Sequence, residues 1–207
     1  MTPEERVRAR LRKAVPAPYP TDGTDFERAL KYHYTTATKS FLKFFPVFFL
    51  LWVQLLVFQN TYLIPLALIG LFGGLIVLLA FRERMALTRK CARVLRTYPL
   101  EFRTPVEKDG QYASHTLYLR LGGRHEDAPT LCAKDPLGRS GWPELEAGVW
   151  FAGDEPFGGA ALVPGTGELL FLQPKRWADS DKERKSAGAV RTEQASRAGV
   201  TRPSRYR

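Results

Sequence analysis

Two apolar segments separated by only three polar residues constrain this chain more than any other feature. Residues 41–58 contain one charge, residues 62–81 contain none, and residues 59–61 are Gln, Asn and Thr. An α-helix rises about 1.5 Å per residue, so about 20 apolar residues cross a hydrocarbon core roughly 30 Å thick. The pattern therefore predicts a membrane hairpin with spans at 41–59 and 62–81.

The first span contains three residues that are uncommon in hydrocarbon. Lys43 lies one turn inside its start, where a long side chain reaches the headgroups, and Pro46 lies nearby in the first turn of the apolar stretch. Gln54 is deep in the span and is predicted to hydrogen-bond the second helix, with a place on a permeation path as the alternative. The rival structure is a buried helix pair in a soluble domain, but neither segment has the polar stripe that such a helix carries.

The distribution of basic residues predicts the orientation of the hairpin. The linker 59–61 has no Lys or Arg, whereas both outer flanks are basic. The upstream basic residues are Arg28, Lys31, Lys39 and Lys43, and the downstream ones are Arg82, Arg84, Arg89, Lys90, Arg93 and Arg96. By the positive-inside rule, both termini are predicted to be cytoplasmic in a multi-pass protein of the inner cell membrane. The six downstream residues are also predicted to contact anionic lipid headgroups.

The net charge of +10 is spread unevenly along the chain. Residues 97–173 contain 11 acidic and 6 basic side chains, whereas residues 174–207 contain 4 acidic and 10 basic ones. A high pI often indicates nucleic-acid binding, but here the positive charge lies beside the apolar spans and in the C-terminal segment. Anionic lipid is therefore favoured over nucleic acid as the partner of the basic residues.

The hairpin is predicted to extend beyond the bilayer, as one unit over residues 24–96. Thr24 and Glu27 have the spacing of a capping box, which predicts that the first helix begins in the cytoplasm. Apolar residues after residue 81 predict a matching extension of the second helix, so that the two extensions form a stalk. Residues 1–23 are a basic segment that can form an amphipathic surface helix, with disorder as the alternative.

Small residues follow one face of the second span. Ala67, Gly70 and Gly74 recur at i, i+3 and i+7, a spacing that allows close approach of another helix. Two interpretations remain open: packing against the first helix of the same hairpin, with Gln54 nearby, or association of several copies into a homo-oligomer.

From Leu100 the apolar period changes from helical to alternating, which predicts strands. Asp109-Gly110 and the segment 164–167 are turn signals between such strands. About six short strands over 97–173 predict a small acidic domain, an antiparallel barrel or sandwich. The predicted fold class is thus a membrane α-helical hairpin plus a small all-β cytoplasmic domain, α+β overall. Residues 174–207, rich in Lys, Arg, Ser and Ala, are predicted to be a disordered basic tail.

Neither catalytic residues nor a metal or cofactor site emerge from the sequence. The glycine pairs fall between predicted strands instead of before a helix, and the two cysteines, Cys91 and Cys132, have no metal-ligand spacing with any histidine. A non-enzymatic protein is therefore expected. One aromatic group, Trp142, Trp150 and Phe151, lies beside Pro and Gly and is a candidate partner surface, with burial in the domain core as the alternative.

The segment 148–159, GVWFAGDEPFGG, together with 170–174, LFLQP, resembles uncharacterised two-span integral membrane proteins of high-GC Gram-positive bacteria. The resemblance extends over the hairpin and the β segment. It implies a location in the cytoplasmic membrane and no assigned activity.

Two hypotheses of function follow. The first is a two-span inner-membrane protein whose β domain acts as a non-enzymatic adaptor or scaffold for a protein partner. The alternative is a small subunit of a transporter or channel that oligomerises through the second transmembrane helix.

Overall fold

A computed structural model of the chain describes residues 26–58, 60–113, 116–122, 129–139, 142–145 and 148–202. Helix α1 spans Phe26–Phe58 and helix α2 spans Ile64–Thr97, and a 3₁₀ turn at Thr61–Leu63 leads into α2. The predictions for residues 1–23 and for Thr24 lie outside the described residues.

The turn between the helices is closed by local hydrogen bonds. The Asn60 side chain accepts a bond from the Tyr62 amide at 3.0 Å, and the Asn60 carbonyl accepts one from the Leu63 amide at 2.9 Å. Pro65 stands in the first turn of α2, where a missing N–H costs little. The two helices then run antiparallel, joined by a Phe41–Phe81 ring contact and, at the far end, by an ion pair between Glu27 and Arg96 at 2.9 Å.

Seven antiparallel strands follow, in the order β1-β5-β6-β7-β4-β3-β2. The strands are β1 Glu101–Arg103, β2 Val106–Ala113, β3 Thr116–Leu121, β4 Thr130–Lys134, β5 Val149–Asp154, β6 Gly158–Val163 and β7 Glu168–Pro174. The two edge strands, β1 and β2, are consecutive in the chain, and only Thr104 and Pro105 lie between them. Since three peptide links reach at most about 11 Å, the sheet must curl until its edges approach. The β segment is therefore a half-barrel, and the whole chain is α+β.

One predicted turn is wrong. Asp109-Gly110 lies inside β2, at a register shift between Lys108 and Gly110, and does not end a strand. A Gly in a strand marks a bulge as readily as a turn. The turn at 164–167 does connect β6 to β7, as predicted.

The half-barrel has apolar side chains on both faces of its central strands. Every residue of β6 is buried, as is every residue of β7 except Gln173. One face contributes Leu162, Leu169 and Phe171 to a core shared with the helix extensions, and the other faces the barrel interior. The β domain is thus packed directly on the helix extensions, which contribute residues to the core on one face of its sheet.

The predicted disordered tail is wrong for most of its length. Helix α3 spans Asp181–Ser186 and helix α4 spans Gly188–Ala198. A Schellman motif ends α4: Gly199 has φ 73°, and the amide of Val200 bonds the carbonyl of Ala195 at 3.0 Å. Val200, together with Ala195 and Ala198 of α4, enters the core that the sheet shares with α2. A few small apolar residues therefore order a segment that is polar on average.

Candidate membrane interface and helix–sheet junction

The apolar part of the helix pair has its large side chains on the outside. In the described part of the chain, only Phe102 and Val190 among the exposed large apolar residues lie outside residues 42–79. The helices Phe26–Leu55 and Thr61–Thr97 each contain a window long and apolar enough to cross a membrane. An exposed apolar surface of this extent marks contact with a partner or a membrane.

The predicted helix-packing residues of α2 lie against α1. Ala67, Gly70 and Gly74 are all buried. A Cβ added at Gly70 would lie 2.6 Å from both the Phe48 carbonyl oxygen and the Trp52 amide nitrogen, whereas one at Gly74 would find its nearest atom at 3.7 Å. The close approach of the two backbones at Gly70 therefore requires glycine, and this face is already occupied within the hairpin.

Gln54 is half-buried in α1. Among the described residues, its amide has no hydrogen bond to α2, so the predicted interhelical bond is not formed here. The opposite face of α1 carries an aromatic series: Phe41 and Phe45 stack at 4.7 Å between centroids, and Phe49 and Trp52 continue it.

The six predicted headgroup residues fall into two groups. Arg82 and Arg84 lie next to the apolar surface, on the first turn after it. Farther along α2 the basic side chains join the domain: Arg96 pairs with Glu27, and the Lys90 ammonium lies 5.5 Å from the Phe171 ring centroid. Burial lowers the pKa of Lys90, helped by the nearby positive charge of Arg93. Arg89 and Arg93 are exposed on this distal part.

A buried polar cluster lies where α1 meets the sheet. Arg139 donates from Nε to Asp135 Oδ2 at 2.9 Å, and its Nη1 lies 2.6 Å from Glu168 Oε1 at the start of β7. The Asp135 carboxylate also accepts the amides of Leu137 and Arg139, at 2.9 and 3.0 Å. These charge-assisted bonds hold the loop after β4 against the sheet.

His33 is the helical member of this cluster. It is fully buried on α1, and its Nε2 accepts the Leu169 amide at 3.3 Å. An accepting Nε2 leaves the proton of the neutral ring on Nδ1. Burial, followed by the positive charge of Arg139, lowers the pKa of His33 to about 4, against smaller raising effects of Asp135 and the Gly167 backbone. The imidazole therefore fastens the helix to the edge of β7 as a neutral ring.

The three predicted partner-surface aromatics are not brought together. Phe151 is 2% exposed inside the half-barrel, so assigning it to a surface is wrong. Trp142 packs against the same interior core from the loop before β5, whereas Trp150 packs against the core shared with the helices. Alternation along β5 sends adjacent residues to opposite faces. Trp150 does meet the exposed Phe102 of β1, with ring centroids 5.2 Å apart.

A polar cleft is lined in part by Glu101 and Arg103, the two residues that flank Phe102 in β1. It has a volume of about 390 Å³ and is lined chiefly by charged side chains of β1, the β5–β6 turn, α3 and α4, including Glu101, Arg103, Asp154 and Arg191. Arg191 pairs with Asp154 through two bonds of 2.9 and 2.6 Å, which ties α4 to the end of β5. Within the described ranges, no group of three or more His, Cys, Asp or Glu residues could hold a metal ion. Cys91 and Cys132 are free thiols, and burial raises the pKa of each.

Sequence reasoning missed the junction cluster and the edge aromatic. His33 shares the buried face of α1 with Leu30 and Ala37, at i−3 and i+4, which was a usable signal of burial. Its partners lie more than one hundred residues away, in a loop and at a strand end. No local pattern could have connected them.

No family model, curated protein or solved structure matches this chain. The likeness to two-span membrane proteins of high-GC Gram-positive bacteria therefore stays a prediction.

Proposed function

We propose that this chain is a two-span protein of the inner cell membrane, with both termini cytoplasmic, that acts as a non-enzymatic adaptor through its half-barrel domain. The main support is the packing of the helix pair. Large apolar side chains over residues 42–79 face outward, the reverse of what a water-soluble helix pair shows. Hydrocarbon is the environment that stabilises such a surface, and α-helices satisfy their own backbone groups in it.

The connection between hairpin and domain supports a single-sided arrangement. The start of α1 and the end of α2 share one core with β6, β7 and α4. The helix extensions and the half-barrel domain therefore belong to one body on one side of the bilayer, opposite the tip. The basic flanks favour the cytoplasmic side, because the tip at 59–61 carries no positive charge.

Cysteine labelling in cells tests this topology. In a chain with Cys91 and Cys132 replaced by alanine, Asn60→Cys at the tip should react with a membrane-impermeant maleimide from outside intact cells. Lys182→Cys on α3, an exposed position, should react only after the membrane is opened. Release of the protein by alkaline carbonate, or labelling of Lys182→Cys in intact cells, would refute the proposal.

The adaptor role rests on the β1–β5 edge. Phe102 is 45% exposed in a three-residue edge strand and contacts Trp150, and the adjoining cleft carries carboxylates. An unpaired strand edge with an exposed aromatic residue is a common docking place for an extended peptide. The transporter-subunit alternative finds less support, since the small-residue face of α2 lies against α1.

Co-purification after mild detergent extraction tests this surface. Phe102→Ser should lose the partner that the unchanged protein retains. Val190→Ser, which also removes an exposed apolar side chain, is the matched control and should keep it. Equal recovery with both variants would place the contact elsewhere and remove the support for this edge.

A further inference from the structure

The cross-contacts of the helix pair give each basic residue a level along the hairpin. Glu27 pairs with Arg96, and Phe41 stacks on Phe81, so residues whose numbers sum to about 122 lie opposite each other. Lys39 is then opposite residue 83, and Lys43 is opposite residue 79. At 1.5 Å per residue, Lys39, Lys43, Arg82 and Arg84 fall within about 8 Å along the axis. These four residues, from two helices, are named the collar here.

The collar occupies a boundary between two environments. On one side the exposed Leu42 and Leu79 belong to the apolar surface. On the other, the domain core begins at Leu87, about one turn beyond Arg84. The headgroup layer of a bilayer leaflet is roughly 5–8 Å thick, which matches the height of the collar. Glu83 is the acidic residue at this level, so the collar has an excess of positive charge.

The collar cations remain available to a ligand. Lys39, Lys43 and Arg82 are exposed and Arg84 is half-buried. The Lys43 ammonium lies 5.4 Å from the Phe44 ring centroid, a contact that leaves its N–H donors free for an anion. The basic residues farther along α2 differ, since Arg96 is engaged by Glu27 and Lys90 by Phe171. Arg89 and Arg93 lie about 8 and 14 Å beyond Arg84, which is about one Debye length or more in physiological salt.

We propose that the collar binds anionic phospholipid headgroups and selects them over zwitterionic ones. The inference rests on the proposed membrane insertion. It assigns the lipid contact to Lys39 and Lys43 of α1 together with Arg82 and Arg84 of α2. The four basic residues farther along α2 are no longer assigned to it: Arg89, Lys90, Arg93 and Arg96. Ammonium and guanidinium groups on two adjacent helices donate to phosphate oxygens from two directions, and Arg does so bidentately. A zwitterionic headgroup brings its own cation to the same place, and the repulsion of that cation offsets the attraction of its phosphate.

Electron spin resonance with spin-labelled lipids measures this selection. The full chain is reconstituted in phosphatidylcholine vesicles that contain a trace of spin-labelled phosphatidylglycerol or phosphatidylcholine. The motionally restricted fraction of each label gives their relative association with the protein. The unchanged chain should favour phosphatidylglycerol about fivefold or more, given the attraction of each juxtamembrane cation for anionic lipid. The variant K39Q/K43Q/R82Q/R84Q should fall below twofold.

Two double variants of α2 that remove the same charge distinguish an effect of the collar from an effect of net charge. Arg82→Gln with Arg84→Gln should lose most of the preference, whereas Arg89→Gln with Arg93→Gln removes the same charge and should keep it. If both double variants lose the preference for phosphatidylglycerol equally, the preference reflects total positive charge and not the collar. If the unchanged chain restricts both labelled lipids equally, the inference about the collar is wrong, but the proposal of membrane insertion still holds. Absence of restricted lipid would refute the membrane proposal itself.

Discussion

The two halves of the helix pair bury opposite kinds of side chain. Among the residues of 42–79 whose burial the structure describes, only Ala67, Gly70 and Gly74 are buried, and most of the large apolar side chains are exposed. In the extensions, Leu30 and Leu95 and their neighbours are buried and the charged side chains are exposed. Helix α2 crosses from one half to the other without a break. The medium that each half faces, and not helix propensity, therefore decides which residues are inside.

The difference also separates two sources of stability. In the proposed membrane position of the span half, close backbone contact would replace hydrophobic burial, because lipid tails are as apolar as the side chains they touch. In the extension half, removal of Leu, Val and Phe side chains from water stabilises the fold by about 1.5–3 kcal/mol each. Substitutions of the same type should therefore act differently in the two halves.

The largest expected effect is that of Phe171→Ala. Phe171 is 1% exposed on β7, under Lys90 of α2, so its loss should destabilise the domain by about 3–5 kcal/mol through lost burial and a cavity. Phe72→Ala is the control, because Phe72 is 59% exposed on the span half of α2. Denaturant unfolding in detergent micelles, followed by tryptophan fluorescence, compares the two. A comparable loss in both would mean that the two halves are not packed differently.

Acid should weaken the junction between extension and sheet. The pKa of His33 is 6.5 in the unfolded chain and about 4 in the folded one. The unfolded chain therefore takes up a proton first as the pH falls. The contribution of His33 to the free energy of unfolding is complete above pH 6.5. It is lost as the pH falls from 6.5 to 4, by about 3 kcal/mol at most. Unfolding free energies measured from pH 7.5 to 4 should show this slope.

Charged groups lie next to the imidazole, so His33→Gln supplies the reference for that slope. Arg139 and Asp135 face His33, and burial raises the pKa of Glu168 next to them. The difference between the two pH profiles belongs to His33. Parallel profiles would show that the imidazole is not held neutral in the junction.

Within the span half, two neighbouring glycines should behave differently. Gly70→Ala places a Cβ 2.6 Å from backbone atoms of α1, which must then shift, and should cost about 1–3 kcal/mol. Gly74→Ala meets an ordinary contact at 3.7 Å and should be neutral. Helix dissociation on titration with sodium dodecyl sulfate would report both. Equal tolerance of the two changes would show that close backbone contact does not join these helices.

Much of the fold could be predicted from local pattern. The two long helices follow from length and apolar content, and the half-barrel follows from alternation and from the turn at 164–167. Asp109-Gly110 misled because a glycine suits a bulge as well as a turn, and pairing with β3 decides between them. The curling of the sheet could not be predicted. It follows from the short link of Thr104 and Pro105 only once the strand order places β1 and β2 at opposite edges.

The candidate sites were less accessible to sequence reasoning. The six basic residues of α2 look alike in the chain, and only their levels and partners separate Arg82 and Arg84 from Lys90 and Arg96. His33 gave a helical-face signal, but Arg139 and Glu168 are connected to it through the tertiary fold alone. Average composition also hid α4, whose order comes from a few small apolar contacts.

The smallest expected effect concerns that C-terminal helix, which packs on the extension half. Val200 is fully buried after the Schellman turn, whereas Val190 on the same helix is 79% exposed. Val200→Ala removes two buried methyl groups and should cost about 1.5 kcal/mol, and Val190→Ala should change stability by less than about 0.5 kcal/mol. Thermal unfolding of the two variants side by side would resolve the difference. If both left the midpoint unchanged, α4 would contribute nothing to the core, and the extension half would be stabilised by the sheet alone.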